Sequence, residues 1–147
     1  MGMRYRGAMW LNQQTLDAIR IMAELATRWP RLTRASDLVE VTGISFVNIQ
    51  KTVHALALGR LLETSRGRYG GIRLARGPDE INIGEIVRAF EPKDCPVNFL
   101  VASTVSAGIS ALLFKAHRGF FQPLEATTLA DLDLPTLNGD GRRRLEA

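Results

Sequence analysis

Thr42–Gly43–Ile44–Ser45, followed by FVNIQKTVHALAL at residues 46–58 and LLETSRGRYGGIRLAR at residues 61–76, decides the fold. Gly43 permits a tight turn with positive φ. Ser45 is a good N-cap for the helix that begins at Phe46. In that helix Ile49, Val53 and Leu56 recur at steps of three and four, so they form the buried face. Phe46, Val47, Asn48, Gln50, Lys51 and His54 then point outward. Upstream of the turn a short helix is expected from an N-cap at Thr33 to about Val41, with Leu38 and Val41 facing inward. Two helices joined by a glycine-bearing turn make a helix-turn-helix. Leu61–Thr64 reads as a strand and Ile72–Ala75 as its returning partner. A hairpin directly after a helix-turn-helix is a wing, and its tip carries Arg66, Arg68 and Tyr69 between glycines.

Further out, Asn12–Arg28 reads as a helix, with Leu16, Ile19, Met22, Ala23 and Ala26 on the buried face. The residue before a proline disfavours the helical region, so Trp29–Pro30 stops it. Gly77–Pro78 is a break, and Ile83–Phe90 is a short helix buried through Ile83, Ile86, Val87 and Phe90. Glu91–Pro96 is a second break that encloses Cys95 between two prolines. A long helix is expected from about Val101 to Gln122, ended by Pro123. Its stripe of Val105, Ile109, Leu112, Ala116 and Phe120, widened by Leu113 and Phe121, is too apolar to stand alone in water. Thr128 is placed to cap a last short helix, Leu129–Leu132.

The fold class is therefore mostly α with a small β-hairpin wing: a winged helix-turn-helix plus a long C-terminal dimerisation helix. Residues 10–90 are the expected reading head and 91–100 a linker or sensor loop with Cys95. Residues 101–133 are the expected dimerisation and closing helices, and 134–147 a disordered tail.

Composition excludes several function classes. At 147 residues, 46% hydrophobic and 23% charged, the chain matches an ordinary single globular domain. A single cysteine makes no internal disulfide, so a reducing, cytoplasmic home is expected. Alone it ligates neither a zinc ion nor an ordinary iron–sulfur cluster. No apolar run reaches the roughly 18–20 residues of a membrane span, so no membrane partner is expected. His54 and His117 have no Ser, Cys or Asp at a catalytic spacing, and Arg66–Gly71 lacks the strand-to-helix setting of a phosphate loop. No enzyme and no cofactor are expected.

Where the charge sits points to DNA. Residues 1–90 carry thirteen Arg and Lys against eight Asp and Glu, while residues 91–147 carry six against seven. Of those thirteen cations only Lys51 is not arginine, whose planar fork suits phosphate and guanine. The candidate DNA contacts are Ser45, Phe46, Asn48, Gln50 and Lys51 at the start of the recognition helix, and Arg66, Arg68 and Tyr69 on the wing. The dimerisation candidates are Val105, Ile109, Leu112, Leu113, Ala116 and Phe120, since a two-fold operator needs a two-fold protein. The competing reading is a winged-helix protein-interaction module, which would replace Lys51, Arg66 and Arg68 with apolar or acidic residues.

The run Ser65–Arg76, followed by Pro78, Glu80–Ile81 and Gly84–Ala89, resembles the Rrf family of bacterial winged-helix transcription regulators, which includes IscR and NsrR. Ala18–Met22, Gly43–Ser45, Leu61–Leu62 and Thr128–Leu132 fit the same pattern, over about residues 10–133. The resemblance implies a homodimeric transcription regulator that reads DNA with the start of the recognition helix and the wing. Asn48 stands where the family often has tyrosine, and Gln50 where it often has an acid, which implies an operator of its own. Cluster-binding members place three cysteines ahead of the dimerisation helix. Here only Cys95 remains, with Val101 and Ala107 near the other two positions. Three roles stay open for Cys95: a redox or electrophile switch, a leftover residue without a role, or one ligand of an atypical iron–sulfur cluster. A small-molecule effector between the wing domain and the long helix is the remaining partner.

Overall fold

A computed structural model describes residues 11–91 and 107–132. Helix α1 spans Gln13–Thr27, capped by Asn12, whose side-chain oxygen accepts from the Thr15 amide at 2.9 Å. Its buried face is Ala18, Ile21, Met22 and Leu25. The expected face lies at the edge of this one: Met22 is buried and Ile19 and Ala26 pack partly against the core, but Leu16 is 41% exposed. Apolar residues occupy two adjoining stripes of α1, and packing against its neighbours selects between them where periodicity does not.

Helix α2 spans Ala35–Thr42, and its N-cap position is Arg34, not the expected Thr33. Thr33 bridges the hairpin instead: its amide donates to the Ile72 carbonyl at 2.9 Å and its carbonyl accepts from the Ile72 amide at 2.8 Å. Leu38 is fully buried, but Val41 is exposed. Thr42 takes the inner position because its hydroxyl donates to the Leu38 carbonyl at 2.5 Å and accepts from the Ile44 amide at 3.2 Å. Gly43 follows at φ 69°, a conformation that costs glycine nothing, and its amide donates to the Val39 carbonyl at 2.9 Å. Arg20 on α1 reaches the Thr42 carbonyl at 2.7 Å and fastens the turn.

Helix α3 spans Phe46–Leu58 and buries Ile49, Thr52, Val53 and Leu56. Strands β1 (Leu62–Ser65) and β2 (Gly71–Leu74) pair antiparallel, with Leu62 opposite Leu74 and Ser65 opposite Gly71. Each strand lies within one residue of its expected bounds. Leu62, Ile72 and Leu74 face the core, while Glu63 and Arg73 pair across the exposed face at 2.9 Å.

Helix α4 (Ile83–Phe90) starts at Asn82, whose side chain accepts from the Glu85 amide at 2.9 Å, and buries Ile83, Ile86 and Val87. The last helix in the described residues, α5, spans Ala107–Glu125. It runs through Pro123 instead of ending there. A proline removes one helical bond and leaves later amides free to bond back, as the Ala126 amide does to the Gln122 carbonyl at 3.1 Å. The C-terminal half of α5 packs on α4. Phe121 is buried, the Arg88 guanidinium lies 4.0 Å above its ring, and Arg88 Nε donates to Glu125 at 3.1 Å.

The expected helix Leu129–Leu132 is a turn. The Leu129 and Ala130 amides donate to the Ile81 and Pro78 carbonyls, at 2.9 and 3.1 Å, and tie the segment to the stretch before α4. Asp131 closes the turn by accepting from the Thr128 amide and hydroxyl, both at 2.9 Å. The amide bond first, and the hydroxyl bond second, hold the Asp131 carboxyl below its ordinary value. One core therefore joins α1–α4, the hairpin, Phe121 and Leu129. Each buried Leu or Ile in it contributes about 1.5–3 kcal/mol. Cys95, Val105 and residues 134–147 lie outside the described residues.

Candidate nucleic-acid interface

The start of α3 and the hairpin tip present the expected residues to solvent. Ser45 Oγ accepts from the Asn48 amide at 3.4 Å, so the serine that opens α3 also orders its first turn. Phe46 and Val47 are 49% and 58% exposed. Asn48, Gln50, Lys51 and His54 are exposed on the side opposite the buried Ile49, Val53 and Leu56. An amphipathic helix explains this split: its core residues fix the rotation of α3, and the rotation sets which polar groups face out.

The hairpin tip is built around Gly67, at φ 105°, whose carbonyl accepts from the Gly70 amide at 3.0 Å. An L-residue with a side chain rarely takes that backbone conformation. Arg66, Arg68 and Tyr69 are all exposed, Tyr69 by 84%, and the Arg68 guanidinium sits 5.7 Å from the Tyr69 ring centre. None of Lys51, Arg66 and Arg68 enters an ion pair among the described residues, so their donors stay free for another anion.

Between α3 and the hairpin lies a cleft of 620 Å³. Gln50 and His54 line it from α3, and Ser65 and Arg68 from the hairpin. Arg34, at the start of α2, also reaches it. Sequence reasoning passed over Arg34 by treating its neighbour Thr33 as the cap. The signal it missed was an arginine at the head of the helix before the recognition helix. Among the described residues no aspartate or glutamate lines the cleft.

The expected dimerisation residues divide. Ile109, Leu112 and Ala116 are exposed, and Phe114 joins them at 53% exposure. Leu113 is half-buried, and Phe120 packs partly against the chain's own core.

The fold and this surface together match known proteins. A family model described as Rrf2, iron-dependent transcriptional regulator, matches residues 11–133. The chain belongs to the Rrf2 family. It is 34% identical over 132 residues to the HTH-type transcriptional regulator NsrR of Bacillus subtilis, covering 84% of this chain and 90% of that one. It is 32% identical over 145 residues to NsrR of Shouchella clausii, covering 93% and 95%. Among solved structures, CymR, the global cysteine regulator of B. subtilis, aligns with a TM-score of 0.73 at 26% identity, over 85% of this chain and 96% of that one. IscR of T. potens shares the fold at a TM-score of 0.70 and 22% identity, over 84% and 85%. These relatives are transcriptional regulators and not enzymes, and this Rrf2 chain is a DNA-binding transcription regulator of winged-helix fold. Among the described residues no helix is long and apolar enough to cross a membrane.

The iron dependence in the family description raises the question of a cluster. The donor set does not fit a three-cysteine site, because the sequence holds one cysteine. Among the described residues no group of three or more His, Cys, Asp and Glu is placed to hold a metal ion.

Proposed function

We propose that two copies of the chain act in the cytoplasm as a repressor, bound to a palindromic operator and released by a redox, nitrosative or small-ligand signal. The supporting observation is the joint exposure of Asn48, Gln50 and Lys51 on α3 and of Arg66 and Arg68 on the hairpin across the cleft. In this reading the Asn48 and Gln50 amides pair with adenine edges, Phe46 meets a thymine methyl, and Lys51 takes guanine or phosphate. Ser45 holds the first turn of α3 at the backbone. The wing arginines enter the minor groove, where narrow A·T tracts attract them, with Tyr69 beside them. The second copy packs on the exposed stripe Ile109–Leu112–Ala116 of α5 and sets two α3 helices about 34–36 Å apart, one helical turn of DNA.

Recovery of genomic fragments bound by the purified protein, with and without an oxidant, tests the proposal. The expected result is enrichment of a short palindrome. Loss of that enrichment on oxidation, and its survival in Cys95→Ser, would make the cysteine the switch. A palindrome indifferent to oxidation keeps the repressor and assigns the signal to a ligand. No enrichment at all sinks the DNA reading in favour of a protein-binding winged helix.

A further inference from the structure

Arg34 belongs to neither the recognition helix nor the wing, yet its side chain is turned toward both. It occupies the N-cap position of α2 without making a side-chain cap bond. It forms no ion pair among the described residues. Its guanidinium crosses to the hairpin, where Nη2 donates to the Arg68 carbonyl at 3.5 Å. A bond that long is weak, and a guanidinium has five donors, so most of its hydrogen-bonding capacity is unspent.

The cleft that Arg34 walls is suited to an anion. Arg68 stands on the hairpin side and His54 and Gln50 on the α3 side, with no carboxylate lining it among the described residues. Low-dielectric walls carrying charge of one sign focus the field and concentrate the opposite ion. The cleft is also continuous with the surface assigned above to DNA, because Gln50 and Arg68 belong to both.

We propose that this cleft seats one phosphodiester of the DNA backbone, with Arg34 gripping it through its planar fork and Arg68 and His54 beside it. The inference rests on the DNA reading above and adds a third element, the start of α2, to the two that reading uses. Arginine fits the role because two parallel N–H groups match two phosphate oxygens. Such a contact positions the protein on the duplex and carries no base preference.

The test uses the full chain, a labelled duplex and its scrambled control, with affinity followed against salt. Arg34→Ala is expected to weaken binding about tenfold on both duplexes, and to make the slope of log affinity against log salt shallower by about one. Arg34→Lys should restore the slope and only part of the affinity, which separates charge from the fork and guards against a folding defect. In phosphate-ethylation interference, one phosphate per half-site that blocks the unsubstituted protein should cease to matter in Arg34→Ala. Unchanged affinity and slope in Arg34→Ala, while Arg66→Ala with Arg68→Ala still weakens binding, would overturn the proposal and leave the DNA reading intact. Failure of the unsubstituted protein to bind either duplex would overturn both. If inorganic phosphate at matched ionic strength displaces DNA from the unsubstituted protein but not from Arg34→Ala, with the ethylation pattern unchanged, the cleft is a free-anion site and the backbone assignment falls.

Discussion

Helices α3 and α5 each show several large apolar side chains to solvent, and they do so in different company. On α3, Phe46 and Val47 stand beside Asn48, Gln50 and Lys51, and a cleft with no carboxylate among its described lining residues opens next to them. On α5, Ile109, Leu112 and Phe114 are exposed over two turns that carry Lys115 as their only charge. The first arrangement mixes methyl and ring contacts with amide donors and acceptors, which suits the edge of a base pair. The second offers surface with little to hydrogen-bond, which suits another apolar surface. Exposure of an apolar residue thus says little until its neighbours are counted.

The largest expected effect lies on α5. Leu112→Asp places a carboxylate on the exposed stripe and should raise the dimer dissociation constant at least hundredfold, about 3 kcal/mol. Sedimentation should find monomers, and a persistent dimer would move the interface away from α5. Next comes the wing. Arg66→Ala with Arg68→Ala should weaken binding to every duplex and flatten the salt dependence by about one unit per lost phosphate contact. An unchanged slope removes the wing from the interface. Gln50→Ala should act more narrowly, costing about 1–3 kcal/mol of discrimination at particular base pairs. A uniform loss across sequences would make Gln50 a positioning residue and blur the contrast between the two helices.

The smallest effect is at the closing turn. Asp131 has its carboxyl held below the ordinary value, first by the Thr128 amide and then by the Thr128 hydroxyl. A carboxyl with a depressed folded-state value stabilises the fold above its unfolded value, and that contribution fades as pH falls through the folded one. Asp131→Asn should therefore be slightly less stable than the parent at neutral pH, with the gap closing in acid. A gap that widens in acid would refute the assignment. The substitution should leave both DNA affinity and dimerisation untouched.

The parts legible in the sequence were those where a local rule and the tertiary structure agree. Gly43 and Ser45 mark the turn because positive φ and side-chain capping are local demands, and Ile49, Val53 and Leu56 mark the buried side of α3 because it has one apolar stripe. The misreadings arose where a distant partner decides. Thr33 looks like a cap, but the backbone of Ile72 claims it. Leu16 looks buried because α1 has two apolar stripes. Leu129–Leu132 looks helical, but its backbone is tied to Ile81 and Pro78 and runs as a turn. Arg34 was illegible for the same reason, since the cleft it walls exists only once α2, α3 and the hairpin meet.

The double bridge between Thr33 and Ile72 has a consequence for how fast the protein can engage DNA. A wing on a free tether would sample many orientations, and each encounter would have to freeze it. Here strand β2 is bonded, one pair from the hairpin tip, to the segment that leads into α2, so wing and recognition helix arrive as one caliper of fixed span. The ordering entropy of the hairpin is settled during folding and not at the moment of contact. Such a caliper fits or fails on the groove geometry it meets, so stiff or misproportioned DNA is rejected quickly and scanning along the chromosome need not wait for the protein to rearrange.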